Sequence, residues 1–109
     1  MAQAAVAQGL DMLAGVGAHH AALAKLEALE EELDAALDRR KSNGLLRRAI
    51  KVWRRGEIAR AGQLALEATE ADPTNAQAFH VLALALEKMG HQHKALVTFE
   101  KAFQLNPND

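Results

Sequence analysis

Residues Ala76–Asp109 read AQAFHVLALALEKMGHQHKALVTFEKAFQLNPND, and residues Ser42–Asn75 read SNGLLRRAIKVWRRGEIARAGQLALEATEADPTN. Placed one beneath the other, the two stretches align without a gap. Leu45 falls on Phe79, Ala49 on Ala83, Val52 on Leu86, Gly56 on Gly90, Ala61 on Ala95, Ala68 on Ala102 and Pro73 on Pro107 (107 − 73 = 34). In each stretch the apolar positions recur at three- and four-residue steps, one face of a helix. Gly56 and Gly90 interrupt the pattern where a left-handed C-cap is needed. Each unit therefore reads as helix, tight turn, helix, with Ala83 and Ala95 as points of close approach.

Composition agrees. Alanine, leucine, glutamate, lysine, arginine and glutamine dominate, and these are strong helix formers. No Val/Ile/Thr run has period two, so strands have no support. Both prolines sit where a helix must stop. The expected fold is all-α.

A 34-residue helix-turn-helix unit with this pattern resembles the tetratricopeptide repeat. The second unit carries Phe79, Leu82-Ala83, Leu86, Ala95, Phe99 and Pro107 in the family's spacing. The first keeps Ala49, Gly56, Ala61, Ala68 and Pro73, but has Arg48 where a leucine is expected and Ala65 where a large aromatic is expected. The resemblance covers residues 42–109, as two tandem repeats at 42–75 and 76–109, a short α-solenoid.

Residues 1–41 lie outside the repeat. Leu23, Leu26, Leu29, Leu33 and Leu37 form a stripe on a helix expected over about residues 19–41, ready for packing or a coiled coil. Gly15 and Gly17 suggest a break before it, with a shorter helix over 2–14. Ser42 reads as the N-cap of the next helix. Charge is segregated: residues 27–38 hold six acids and no base, residues 39–55 eight bases and no acid. Arg48, standing where the family buries a leucine, has to reach water or an acid, and Glu30, Glu31 and Asp34 are candidates if the acidic helix packs beside the first repeat.

Most chemistries find no support. Cysteine is absent, and Ser42 is the only serine, so no nucleophile has a triad. The carboxylates line a solvated face instead of a cleft. His19, His20, His91 and His93 lack the further ligands a metal site needs. Gly15 and Gly17 are not followed by the lysine or third glycine of a phosphate loop. Arg47-Arg48 and Arg54-Arg55 are adjacent pairs that spread charge around the helix, which disfavours nucleic acid. No catalytic residue, cofactor or metal is expected. The N-terminus has no Lys or Arg near its start and Asp11 interrupts its apolar run, so it is not a signal peptide. No segment approaches the ~20 apolar residues of a membrane span. A cytoplasmic location is the default.

What remains is a binding surface. In tetratricopeptide repeats the first helix of each unit lines the concave face. The resemblance places Leu46, Arg47, Ile50, Trp53 and Arg54 there, with Gln77, His80, Val81, Leu84, Glu87 and Lys88 from the second unit. Trp53 beside two aliphatics and rimmed by arginines reads as an interface anchor. Family members that grip a peptide's terminal carboxylate use lysine and asparagine where Leu46 and Ile50 stand, so a more hydrophobic ligand is implied, such as a helix. The expectation is a protein-interaction module binding a protein or peptide through Leu46, Arg47, Ile50, Trp53, Arg54, His80, Val81 and Leu84. Self-association through the leucine stripe is one alternative. The other is a substrate-presenting arm of a larger enzyme, as in bacterial glycosyltransferases or hydroxylases. Leu96, Phe103 and Leu105 on the last helix are left uncovered, which suggests a piece of something longer.

Overall fold

The computed structural model describes the backbone of residues 2–107 and the side chains of residues 20–107. Readings that involve His19, Asn108 or Asp109 fall outside the described side chains. Four helices follow in order: α1 (Ala2–Arg54), α2 (Ile58–Ala71), α3 (Ala76–Lys88) and α4 (Gln92–Leu105). No strand occurs among the described residues. The chain divides into two compact units, Met1–Asp34 and Ala35–Asp109.

In the first unit, every described side chain from residue 20 to residue 34 is exposed. Leu23, Leu26, Leu29 and Leu33 are 38%, 55%, 52% and 63% exposed, so the stripe forms no buried layer. The break expected at Gly15 and Gly17 is not present, since α1 is helical from Ala2 onward.

The second unit is the repeat region. Gly56 and Gly90 have φ of 83° and 88°, the left-handed region that side chains with a Cβ avoid. Around Gly56, its own N–H donates to Trp53 O (2.9 Å), and Glu57 N–H donates to Val52 O (3.0 Å). Around Gly90, its own N–H donates to Glu87 O (3.0 Å), and His91 N–H donates to Leu86 O (2.9 Å). These are the paired bonds of a Schellman motif, and both ends repeat at the 34-residue spacing. The two inter-helix turns expected from the glycines are thus formed by the same chemistry.

The turn between repeats is set by Asp72-Pro73-Thr74-Asn75. Asn75 N–H donates to Asp72 O (3.1 Å), and the Asp72 carboxylate accepts from Thr74 N–H (3.0 Å) and Thr74 Oγ1 (2.6 Å). Proline at the second position presets the turn.

Ser42 is not a cap. Helix α1 runs through it without a break, and no proline interrupts residues 39–50. The Ser42 side chain is fully buried, and its Oγ donates to Ala68 O in α2 (2.7 Å). The cap that does form is Asn75, whose Oδ1 accepts from Ala78 N–H (3.2 Å) at the start of α3. Its Nδ2 donates to Ser42 Oγ (2.9 Å) and Asn43 Oδ1 (3.1 Å), joining α1, α2 and α3.

Among the described residues, nine of the twelve buried hydrophobic side chains are alanine, so these helices pack close together. Ala83 and Ala95 are 0% and 2% exposed, as expected of close-approach points. The α2–α3 contact is tighter still: a Cβ added at Gly62 would lie 3.1 Å from Ala85 Cβ. Two clusters form the core. One holds Ala49, Val52, Ala61, Leu64 and Ala65; the other holds Leu46, Ala68 and Ala78.

Candidate functional site

A groove of the repeat unit has a volume of about 710 Å³. Helix α1 contributes Leu46 and Ile50, α3 contributes Ala76, Gln77, His80 and Val81, and the end of the chain contributes Phe99, Ala102, Phe103 and Asn106. The walls are apolar, with polar groups at Gln77, His80 and Asn106 and no acid among the lining residues. The His80 and Phe99 rings meet edge to face at 5.6 Å between centroids and 65° between planes, tying α3 to α4 at the groove floor.

Four of the eight residues expected to bind a partner line this groove: Leu46, Ile50, His80 and Val81. Leu46 does so from a core position, being 5% exposed and packed with Ala68 and Ala78. Ile50 and Val81 are half-buried and His80 is exposed. The other four stand elsewhere. Trp53 is half-buried against the first core cluster, so its ring is largely a packing element. Leu84 is half-buried outside the lining, and Arg47 and Arg54 are exposed on α1. Arg48 is also exposed, so its charge reaches water.

Sequence reasoning left Leu96 and Phe103 uncovered but did not assign α4 to the binding surface, although the repeat register contained the signal. One period earlier than Leu96, Phe99 and Phe103 stand Gly62, Ala65 and Thr69 (96 − 34, 99 − 34, 103 − 34). Those three are buried on α2, and a Cβ at Gly62 would meet α3. Their α4 counterparts are open: Leu96 is 57% and Phe103 62% exposed, and Phe99 is half-buried. On α3, His80 is the counterpart of Leu46 (80 − 34), and it is exposed where Leu46 is buried under α3. The groove is thus built on the surface that, one repeat earlier, receives a helix.

A second, shallower depression of about 450 Å³ is lined by Glu87, Gln92, His93, Ala95, Leu96 and Phe99. Among the described residues no group of three or more His, Asp or Glu side chains could hold a metal ion. No described helix is long and apolar enough to cross a membrane.

Comparison with known proteins agrees with this geometry. Residues 64–97 match the family model of the tetratricopeptide repeat. The match spans one 34-residue period (97 − 64 + 1), from within α2 through α3 into α4. Protein FlbA of Caulobacter vibrioides is 37% identical over 87 residues, which make up 78% of this chain. The chain spans only 15% of the length of that relative.

Proposed function

We propose that this chain, a tetratricopeptide-repeat protein, is a protein-interaction module whose groove takes an amphipathic helix from a partner. The observation that carries the reading is the exposure of His80 and Phe103, which line the groove, where their counterparts Leu46 and Thr69 are buried. A surface with a helix-binding register and no helix on it is suited to helix-in-groove recognition. The larger side chains on α4 hold an incoming helix further out than α3 sits, and give it aromatic contact in return. Aromatic anchors of this kind dominate interface energetics. Arg47 and Arg54 on the adjoining face of α1 favour acids at the edge of the ligand.

The test is peptide display selected on the wild-type chain and counter-screened on Phe103→Asp. Enriched peptides should carry apolar residues at i, i+3, i+4 and i+7, and should lose at least tenfold in affinity on the variant. Peptides that bind Phe103→Asp equally well would place recognition elsewhere.

One observation favours a second reading. The matched region is a small part of its relative, which suits a module that presents a protein substrate to a catalytic region elsewhere in a longer polypeptide. Tetratricopeptide repeats are as a rule non-catalytic, so any chemistry in such an arrangement would lie outside these repeats.

A further inference from the structure

The repeat unit exposes an apolar groove, and the first unit exposes an apolar helix. Their charges are opposite. Residues 27–38 carry six acids and no base, while residues 39–55, which include the groove's α1 wall, carry eight bases and no acid. We infer that the partner helix named above is supplied by a second copy of this chain. In this arrangement the leucine-striped segment of each copy lies in the groove of the other. This rests on the groove reading and adds the identity of its ligand.

The flanks of the two surfaces decide the direction. Glu27, Asp34 and Asp38 each follow a leucine of the stripe by one residue (Leu26, Leu33, Leu37), so they form a second stripe along one side of it. Arg47, Lys51 and Arg54 each follow Leu46, Ile50 and Trp53 by one residue, a basic stripe on the same side of α1. All six of these charged side chains are exposed. When two helices pack face to face and run in opposite directions, flanks on the same side meet. Antiparallel docking therefore sets the acidic stripe against the basic one, whereas parallel docking separates them. Two such contacts related by a two-fold axis close the assembly as a dimer.

The competing arrangement pairs the leucine stripe with its own copy as a coiled coil. Residues 25–38 hold six acids and the single base Lys25, so this brings like charge together. Charge complementarity favours the groove.

Sedimentation velocity of the full chain over a concentration series tests the arrangement. The wild type should form a reversible dimer, roughly tenfold or more weaker at ~0.5 M salt than at ~0.05 M because its charged flanks are screened. Leu29→Glu and Phe103→Asp should each be monomeric; both positions are exposed, so helicity should be retained. Mixed in equal amounts, the two variants should form a dimer, because one copy keeps an intact groove and the other an intact stripe. Leu33→Glu and His80→Asp provide the same pair should either first choice lose helicity. A wild type that stays monomeric at every concentration overturns the inference. So does a dimer abolished by Leu29→Glu but untouched by Phe103→Asp, which would be the coiled coil. Groove-dependent display peptides obtained alongside a monomeric wild type would remove self-recognition and leave the groove reading standing.

Discussion

Three glycines of the repeat unit separate backbone from packing effects, because a Cβ added at Gly44, Gly56 or Gly90 meets nothing within 4 Å. Any change in stability on substitution by alanine must then come from conformation. Gly56 and Gly90 sit at φ of 83° and 88°. Holding an L-residue there costs about 1–2 kcal/mol. Alanine also restricts the unfolded chain, which returns about 0.4–1 kcal/mol. The balance is a loss of about 1 kcal/mol for each of Gly56→Ala and Gly90→Ala. Gly44 lies inside α1 with helical backbone, so Gly44→Ala should gain about 0.5–1 kcal/mol. At roughly 4–8 °C per kcal/mol for a domain of this size, the variants should straddle the wild type by several degrees. Trp53 is the only tryptophan and is half-buried on the first core cluster, so its fluorescence reports the packing of this unit. Urea and thermal unfolding followed at that signal give the ΔΔG values. A Gly56→Ala protein as stable as the wild type would refute the left-handed cap. A destabilised Gly44→Ala would refute the continuity of α1 through the start of the repeat.

Other outcomes follow from the same contacts. Asn75→Ala removes the cap of α3 and both donors to α1, and should cost about 1–2 kcal/mol by urea unfolding, with Asn75→Asp keeping the cap and recovering part of it. Trp53→Ala should lower stability by about 2 kcal/mol, half the range for a fully buried large aromatic, while binding of a groove peptide measured by calorimetry changes little. Arg48→Leu should stay within about 0.5 kcal/mol of the wild type in a thermal scan, since the exposed guanidinium is already in water.

The fold was legible because its determinants are local and repeated. Gly56 and Gly90 need a positive φ wherever the rest of the chain lies, and the alanines need only a neighbour close enough to exclude a larger side chain. Ser42 was not legible. A serine hydroxyl serves equally as a cap or as a buried donor inside a helix, and the group that decides between them is the carbonyl of Ala68, 26 residues away. The orientation of Trp53 was equally hard to read. An aromatic at the edge between a core face and a solvent face can turn either way, and here it packs against the first core cluster while staying half-buried.

The α4 wall shows why a site is harder to read than a fold. Phe99 and Phe103 occupy positions that the repeat pattern assigns to packing, and on α2 the same positions are packed. Their side chains do not differ in kind from core residues; what differs is whether a helix lies over them. That is a property of the neighbouring element, so periodicity cannot report it from within one repeat. Comparing the two repeats can. Gly62 and Thr69 are the small residues that a seated helix requires, and their replacement by Leu96 and Phe103 marks a surface that does not hold a helix of its own kind so closely. Substituting Leu96→Gly, Phe99→Ala and Phe103→Thr together would restore the α2 side chains on α4. Binding of a groove peptide should then lose its aromatic contact while α4 itself stays folded.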